Sequence, residues 1–207
     1  MLVFEGIRKG TREIVDITGR LFTDYTNALQ DVKATPDSMQ MKWHPPPLGS
    51  FKANVDGATF RESRSVGIGV IVRDSAGQVI ATVVKHIEGE FPSNVVEALG
   101  VQFAVLFVWD LGLQSVMVEG DNLEVINAIN SQETNLSALG LILEDVRASM
   151  TGHFGTITFG HTRREGNKVA DGLARNAQHI EGSMVWMEEI PNCVRDQYLT
   201  ELSQCSL

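Results

Sequence analysis

The stretch FKANVDGAT, residues 51–59, decides the fold because it predicts the first strand of a β-sheet. Phe51, Ala53 and Val55 alternate with polar residues, which is typical of a strand with one apolar face. On that pattern Asp56 lies on the solvated face as an ordinary surface carboxylate. A different role for Asp56 follows only if other acidic residues along the chain occupy similarly unfavourable places.

The composition predicts a globular, soluble protein. The chain has 207 residues, of which 43% are hydrophobic, enough for one well-buried domain with appended segments. A net charge of −9 argues against strong nonspecific attraction to nucleic acid. It does not exclude an enzyme of nucleic acids, because carboxylates that hold cations contribute negative charge of their own.

The sequence predicts an intracellular protein, in the nucleus or the cytoplasm. The N-terminus carries Glu5 and no extended apolar core, and the longest apolar run, near residues 98–109, is interrupted by Gln102. Neither a signal peptide nor a membrane span is therefore evident, and we expect no membrane association. Cys193 and Cys205 have no partners at ligand-like spacing, which indicates neither a disulfide framework nor a zinc site.

Three segments are predicted along the chain. Apolar residues spaced by three and four over residues 11–32 predict an amphipathic helix, and the stretch HPPPLGS, residues 44–50, predicts an extended linker. The predicted segments are an N-terminal helix and linker at 1–48, a central domain at 49–180 and a C-terminal tail at 181–207.

The central segment predicts an α/β fold. Apolar residues alternate in the early part of this segment, with a tight hairpin at RDSAGQ, and helical periodicity begins near Pro92. The predicted strands are 51–58, 67–73, 79–87, 115–119 and 155–161. The predicted helices are 92–112, 122–130, 138–150 and 167–178. Three strands followed by alternating helices and strands predict a mixed sheet with helices packed on its faces.

Three further acidic residues occupy unfavourable places. Glu97 lies about one turn into an otherwise apolar helix, Asp121 follows the fourth predicted strand, and Asp171 lies among apolar residues of the last helix. Each has a simple structural explanation as well. Asp121 at a strand-to-helix junction is a good helix N-cap, Asp171 fits the outer face of its helix, and Glu97 fits an ion pair with a neighbouring base.

The four acids together predict a metal site if the sheet brings them to one place. Four like charges so close would strongly disfavour mutual ionisation unless cations lay between them. Carboxylate oxygens without a histidine or cysteine set favour Mg²⁺ or Mn²⁺ over zinc.

The order of these motifs resembles ribonuclease H, especially the plant ribonuclease H-like domains related to retrotransposon reverse transcriptases. The resemblance covers residues 43–180 and rests on Asp56 in NVDGA, Glu97 in VVEALG, Asp121 in VEGDNLEVI and Asp171 in GNKVADGLA. It implies an α/β fold with a five-stranded mixed sheet in the order 3-2-1-4-5, flanked by helices.

The resemblance also implies an activity, hydrolysis of the RNA strand of an RNA–DNA hybrid by an endonuclease. It implies two Mg²⁺ or Mn²⁺ ions held by Asp56, Glu97, Asp121 and Asp171, which activate the attacking water and stabilise the leaving oxygen. His161, ten residues before Asp171, matches the mobile histidine of the family, which implies proton shuttling or product release. Taken alone, a histidine after a strand is more often a surface residue.

Two arginines beside His161, Arg163 and Arg164, are candidates for contacts with the phosphate backbone, although a basic pair in a loop is usually just solvated. Residues 122–150 contain one arginine, Arg147, and no lysine, so the basic surface that helps some family members grip hybrids is missing. We therefore expect weak binding of the hybrid by a monomer, and the sequence identifies no protein partner.

Two alternative functions remain open from the sequence. One is a non-catalytic binding or interaction protein that kept the fold after domestication of a transposon-derived ancestor, which intact carboxylates disfavour. The other is a related exonuclease, which would require a second acid two residues after Asp56, where this chain has Ala58.

Overall fold

The computed structural model describes residues 42–131, 136–152 and 154–205. The helix predicted at 11–32 lies outside the described residues. The strands are β1 (Phe51–Phe60), β2 (Ser65–Arg73), β3 (Val79–Glu88), β4 (Ser115–Gly120), β5 (Thr156–His161) and β6 (Ser183–Met187). The helices are α1 (Ser93–Asp110), α2 (Leu123–Asn130), α3 (Ala138–Met150), α4 (Lys168–Asn176) and α5 (Arg195–Cys205).

The strands form one mixed sheet in the order β5-β4-β1-β2-β3-β6. β1, β2 and β3 pair antiparallel, whereas β4 and β5 run parallel to β1. The predicted α/β fold and the order 3-2-1-4-5 are confirmed. Among the described residues the sheet has six strands, one more than the five predicted. β6 pairs antiparallel with β3 and extends that edge. Its sequence SMVWM lacks the alternation of polar and apolar residues on which strand prediction depends.

Helices cover both faces of the centre of the sheet, so β1 has no solvated face. α1 packs on one face, where Ala53 and Val55 of β1 are buried. Asp56 points to the other face and is only 6% exposed, so the interpretation of Asp56 as an ordinary surface carboxylate is wrong.

α1 is long and apolar enough to cross a membrane by length and composition, but core helices of soluble proteins share this property and α1 is half buried.

α4 packs unusually close to β2 because two glycines of β2 face it. A Cβ atom at Gly69 would lie 2.5 Å from the main-chain oxygen of Ala170 and would also overlap the main-chain nitrogen of Ala174. A Cβ atom at Gly67 would overlap the main-chain oxygen of Ala174. The backbone of α4 therefore lies directly on the strand, at a distance that only glycine allows.

A buried polar network joins the two ends of the described chain to β1. The side-chain oxygen of Asn54 accepts hydrogen bonds from Trp43 Nε1 at 2.8 Å and from Arg73 Nη2 at 2.7 Å. Arg73 also pairs with Glu201 of α5 at 2.5 Å, and its guanidinium lies 3.8 Å from the centre of the Trp43 ring. All four residues are buried, so this network fixes the chain before β1 and the C-terminal helix to the sheet.

Candidate metal centre and active site

The four predicted acids line one cleft of about 390 Å³ at the edge of the sheet. One carboxylate oxygen from each of Asp56, Glu97 and Asp121 lies within 4.8 Å of the others. Asp171 lines the same cleft from α4. Residues from four separate elements thus converge, as the sequence analysis required for a metal site.

The sheet and its two covering helices position these carboxylates. β1 and β4 are parallel with Asn54 opposite Glu119, so Asp56 and Asp121, two residues further on, emerge at the same edge. Gly57 allows the close approach of α1, because a Cβ atom there would lie 2.8 Å from Val96 Cγ1. Glu97 follows Val96 directly and is thereby brought over the end of β1.

α4 is fixed to β1 by the residue that precedes it. The side-chain Nδ2 of Asn167 donates a hydrogen bond of 3.0 Å to the main-chain oxygen of Val55, and Asn167 is buried. Val55 is adjacent to Asp56, and Asn167 precedes Asp171 by one helical turn. This single bond therefore links the strand and the helix that carry two of the carboxylates.

Burial and like charges raise the pKa of two carboxyl groups in the cleft. Burial is the largest cause for Asp56, followed by the charges of Glu97, Asp121 and Asp171, and its pKa rises to about 9. A hydrogen bond with the side chain of Asp171 raises it further. Burial and Asp121 raise the pKa of Glu97 to about 8, against the opposing charge of Arg164. Near neutral pH both groups therefore hold protons unless a cation replaces them.

Three basic side chains, Arg164, Lys168 and Arg175, also line the carboxylate cleft. The Nε atom of Arg175 donates to Asp171 Oδ1 at 2.8 Å, and the Nε atom of Arg164 lies 3.3 Å from Asp121 Oδ2. The ion pair between Arg175 and Asp171 was not predicted from the sequence. Its signal is the spacing, because residues four apart on a helix lie side by side.

The simple structural explanations of the acids fit this arrangement poorly. Asn122, not Asp121, is the N-cap of α2, because its side chain accepts a hydrogen bond of 3.1 Å from the main-chain nitrogen of Val125. The Asp171 side chain is 44% exposed, but it faces the cleft rather than only solvent. The charge of Arg164 lowers the pKa of Glu97, but Arg164 forms its ion pair with Asp121.

His161 lies at the end of β5, beside the carboxylates rather than among them. Its ring Nε2 lies 3.1 Å from the main-chain oxygen of Asp121, and the side chain is exposed. His161 and Arg163 line a neighbouring cleft, whereas Arg164 reaches the carboxylates. The two predicted arginines therefore face different clefts.

The residues of the cleft fit a hard divalent cation. All four acidic side chains offer oxygen atoms, which Mg²⁺ and Mn²⁺ prefer. Two ligand atoms of one ion, each about 2.0–2.5 Å from it, lie at most about 5 Å apart, so separations within 4.8 Å allow Asp56, Glu97 and Asp121 to share an ion. The raised pKa values of Asp56 and Glu97 indicate the repulsion that such an ion would relieve.

The fold and this acidic cleft define a ribonuclease H-like protein, as the sequence motifs predicted. The chain belongs to the reverse transcriptase-like family, whose model matches residues 54–177, more than half of its length. No curated protein gives a significant match to the sequence.

Several solved structures similar to this chain are ribonucleases H. The chain is similar to RNase H1 of the halophilic archaeon Halobacterium salinarum, with 24% identity and a TM-score of 0.57 over 63% of this chain and 98% of that one. It is similar to the N-terminal RNase H domain of a Mycobacterium tuberculosis protein, with 22% identity and a TM-score of 0.55 over 63% and 94%. A third, LC11-RNase H1 in complex with an RNA/DNA hybrid, has 21% identity and a TM-score of 0.55 over 61% and 95%. At these identities the likeness concerns the fold.

Proposed function

We propose that this protein is a metal-dependent endonuclease that hydrolyses the RNA strand of RNA–DNA hybrids. The observation that carries the proposal is the convergence of Asp56, Glu97 and Asp121 within 4.8 Å, with Asp171 lining the same cleft. Membership of the reverse transcriptase-like family supports it, as does the fold shared with ribonucleases H, one of which was solved with an RNA/DNA hybrid.

The four carboxylates would hold Mg²⁺ or Mn²⁺ in this cleft, with Asp171 completing the ligand set of the other three. A bound pair of such ions supplies an activated water and a stabilised leaving oxygen in phosphodiester hydrolysis. The chain's own contribution is to place the ligands rigidly, through the hydrogen bond from Asn167 to Val55 and the glycine-mediated contact of α4 with β2. Arg164, Lys168 and Arg175 offer positive charge to the substrate phosphate at the rim.

His161 would move a proton at the border of the cleft. When Nε2 carries the hydrogen, it donates to the main-chain oxygen of Asp121, and Nδ1 is then the atom that can accept a proton. An exposed imidazole beside the carboxylates suits proton shuttling or release of product, as the family resemblance implied.

Binding of the hybrid is expected to be weak. Arg147, the one basic residue at 122–150, donates from Nη2 to the main-chain oxygens of Ala128 at 2.6 Å and Ser131 at 2.9 Å. Its guanidinium thus holds the C-terminal end of α2, which leaves residues 122–150 little positive charge for phosphates.

The test is incubation of the purified protein with an end-labelled RNA–DNA hybrid, with and without Mg²⁺ or Mn²⁺. We expect internal cuts in the RNA strand that require the metal, no cutting of duplex DNA, and loss of cutting in Asp121→Asn. Equal cutting of duplex DNA, or full activity in excess chelator, would overturn the proposal. Hybrid binding without cutting in any divalent metal would favour the alternative, a non-catalytic binding protein.

A further inference from the structure

The strand β6 forms one edge of the sheet and lies beyond the segment that the family model matches, which ends at residue 177. Among the described residues, β6 pairs with β3 on one side and with no strand on the other. Charged residues, proline and bulges commonly protect an exposed edge from pairing with other strands. The sequence SMVWM contains no charged residue and no proline, and its pairing with β3 is regular. This edge is therefore open to a further strand.

Three residues of β6 direct their main-chain groups away from β3. The main-chain oxygen of Gly182 accepts a hydrogen bond of 2.7 Å from β3, and the main-chain nitrogen of Glu188 donates one of 2.9 Å to β3. Main-chain groups alternate in direction along an antiparallel strand, so the even-numbered residues face β3. The residues whose N–H and C=O groups point outward are Ser183, Val185 and Met187. We call this row of groups the free edge of β6.

The free edge also carries apolar side chains that α1 does not cover. Val185 lies opposite Val83, and Met187 lies opposite Ala81. Val83 and Ala81 belong to the core under α1, and opposite residues of paired strands share a face. Both core residues are buried, whereas Val185 is 49% and Met187 is 54% exposed. The cover that α1 provides therefore ends before β6, and a further strand would contact both side chains.

Exposed acids flank β6 at both ends. Glu181 precedes the strand, and Glu188 and Glu189 follow it. No described lysine or arginine forms an ion pair with any of the three. Lys85 of β3 is directed to α1 instead, because its Nζ atom lies 4.6 Å from the centre of the Phe103 ring. The free edge thus has an apolar, uncharged centre and negative charge at both ends.

These charges argue against a second copy of this chain at the free edge. In a symmetric antiparallel pair that uses the whole of β6, Val185 lies opposite the same residue of the other copy. Glu181 is four residues before Val185 and Glu189 is four residues after it, so the two acids would lie opposite each other. Like charges in opposite positions destabilise paired strands. A strand with basic residues at both ends would instead be attracted.

We propose that the free edge of β6 binds an extended segment of a partner protein, in which alternating apolar residues lie between basic residues. The main-chain groups supply hydrogen bonds, Val185 and Met187 contact the apolar side chains, and the flanking acids attract the basic ends. The residues of the free edge do not line the carboxylate cleft. The proposal is therefore independent of the proposed nuclease function.

The test uses the full chain and a synthetic nine-residue peptide, in which three valines alternate with two threonines between two lysines at each end. Amide hydrogen exchange followed by NMR measures the protection of each main-chain N–H group. Millimolar peptide should protect the outward amides of Ser183, Val185 and Met187. The amides of Met184 and Trp186 already face β3 and should change least. A peptide with glutamates in place of the lysines should bind at least about fivefold more weakly.

Two kinds of variant test the hydrogen bonds and the charges separately. Val185→Pro removes the central outward donor without removing a bond to β3, and should weaken peptide binding roughly twofold to tenfold. Glu188→Gln combined with Glu189→Gln keeps the backbone and should weaken binding roughly twofold to fivefold. The control, Glu124→Gln combined with Asp145→Asn, removes two exposed acids from α2 and α3. Its affinity for the peptide should equal that of the wild type.

Several results would overturn the proposal. One is the absence of protection at the outward amides in millimolar peptide, and another is an equal loss of affinity in the control. Protection of these amides in the free monomer would show that the chain covers its own edge. A dimer in analytical ultracentrifugation that Val185→Pro dissociates would make a second copy the occupant. Where Val185→Pro does not fold, the pattern of protected amides and the glutamine variant decide the outcome.

Discussion

The guanidinium of Arg175 donates a hydrogen bond of 2.8 Å to the carboxylate of Asp171, one turn earlier on α4. The carboxylate that α4 contributes to the cleft is therefore paired with a cation of the chain itself. Because Arg175 also lines the cleft, its charge acts on Asp56 as well and opposes the approach of a divalent ion.

Arg175→Gln should strengthen binding of Mg²⁺ or Mn²⁺. Both side chains are partly exposed, at 72% and 44%, so solvent screens the pair and the gain should reach at most about fivefold. Titration calorimetry with Mn²⁺ measures the change. Arg195→Gln controls for net charge, because Arg195 is exposed on α5 and does not line the carboxylate cleft. Equal changes in the two variants would show that Arg175 acts only through the overall charge.

Asp56→Asn should abolish cleavage and stabilise the protein in the absence of divalent ions. The pKa of Asp56 is about 9 in the folded protein against 3.8 for the ordinary group, so the wild-type chain loses stability as pH rises from about 4 towards 9. Asparagine does not ionise and avoids this loss.

Thermal and urea unfolding in chelator measure this difference. The two proteins should be about equally stable near pH 4, and the advantage of the variant should grow by at most about 1.4 kcal/mol per pH unit above it. Saturating Mg²⁺ should remove the advantage. A variant that melts several degrees lower at neutral pH, yet cleaves normally per folded molecule, would make Asp56 a structural residue.

Metal binding should release protons at neutral pH. The pKa values of about 9 for Asp56 and about 8 for Glu97 mean that both groups are protonated at pH 7 and must ionise to hold a cation. Affinity should therefore rise with pH and level off above about pH 9. Calorimetry at pH 7 in buffers of different ionisation enthalpy counts the released protons, and Glu97→Gln should release about one fewer. Metal uptake without proton release at pH 7 would contradict the raised values.

Gly69→Ala should displace α4 and with it Asp171. Because the added carbon would overlap backbone rather than a flexible side chain, we expect a loss of about 1–3 kcal/mol in unfolding free energy and slower cleavage per folded molecule. Gly155→Ala is the control, since its Cβ would meet Gln114 at an ordinary 3.4 Å and should change stability by less than about 1 kcal/mol. Equal stability of the two variants would show that α4 adjusts freely.

Arg147→Gln should weaken the fold and leave nucleic-acid binding alone. Its guanidinium donates to two main-chain oxygens, and losing partners for such groups costs about 1–3 kcal/mol. The slope of log K for hybrid binding against log salt concentration should be unchanged in the variant, and it should be shallow in the wild-type chain. A steep slope with nanomolar affinity, or a slope that falls in Arg147→Gln, would place a phosphate at α3.

Local patterns predicted most of the fold. The hairpin at RDSAGQ and the long apolar segment at 92–112 predicted the order of the central elements, because an apolar run of that length is typical of a helix rather than a strand. β6 was not predicted, since its four consecutive apolar residues show no alternation of polar and apolar positions. The burial of Asp56 was not predicted either. Alternation along β1 predicts one buried face, but it does not show that α4 covers the other face of the sheet.

The candidate site was predicted from the order of its acids, and no short-range pattern alone would have found it. Asp56, Glu97, Asp121 and Asp171 are distant in sequence, and only the parallel pairing of β1 with β4 and the contacts of two helices bring them together.

The ion pair between Arg73 and Glu201 extends the folded domain beyond the segment that the family model matches. The family match stops at residue 177, yet Glu201 lies well beyond it and neutralises a guanidinium buried in the central sheet. Trp43, which stacks on the same guanidinium, lies before the match begins at residue 54. The segment that the family model matches is therefore shorter than the folded domain, because residues before and after it pack on Arg73.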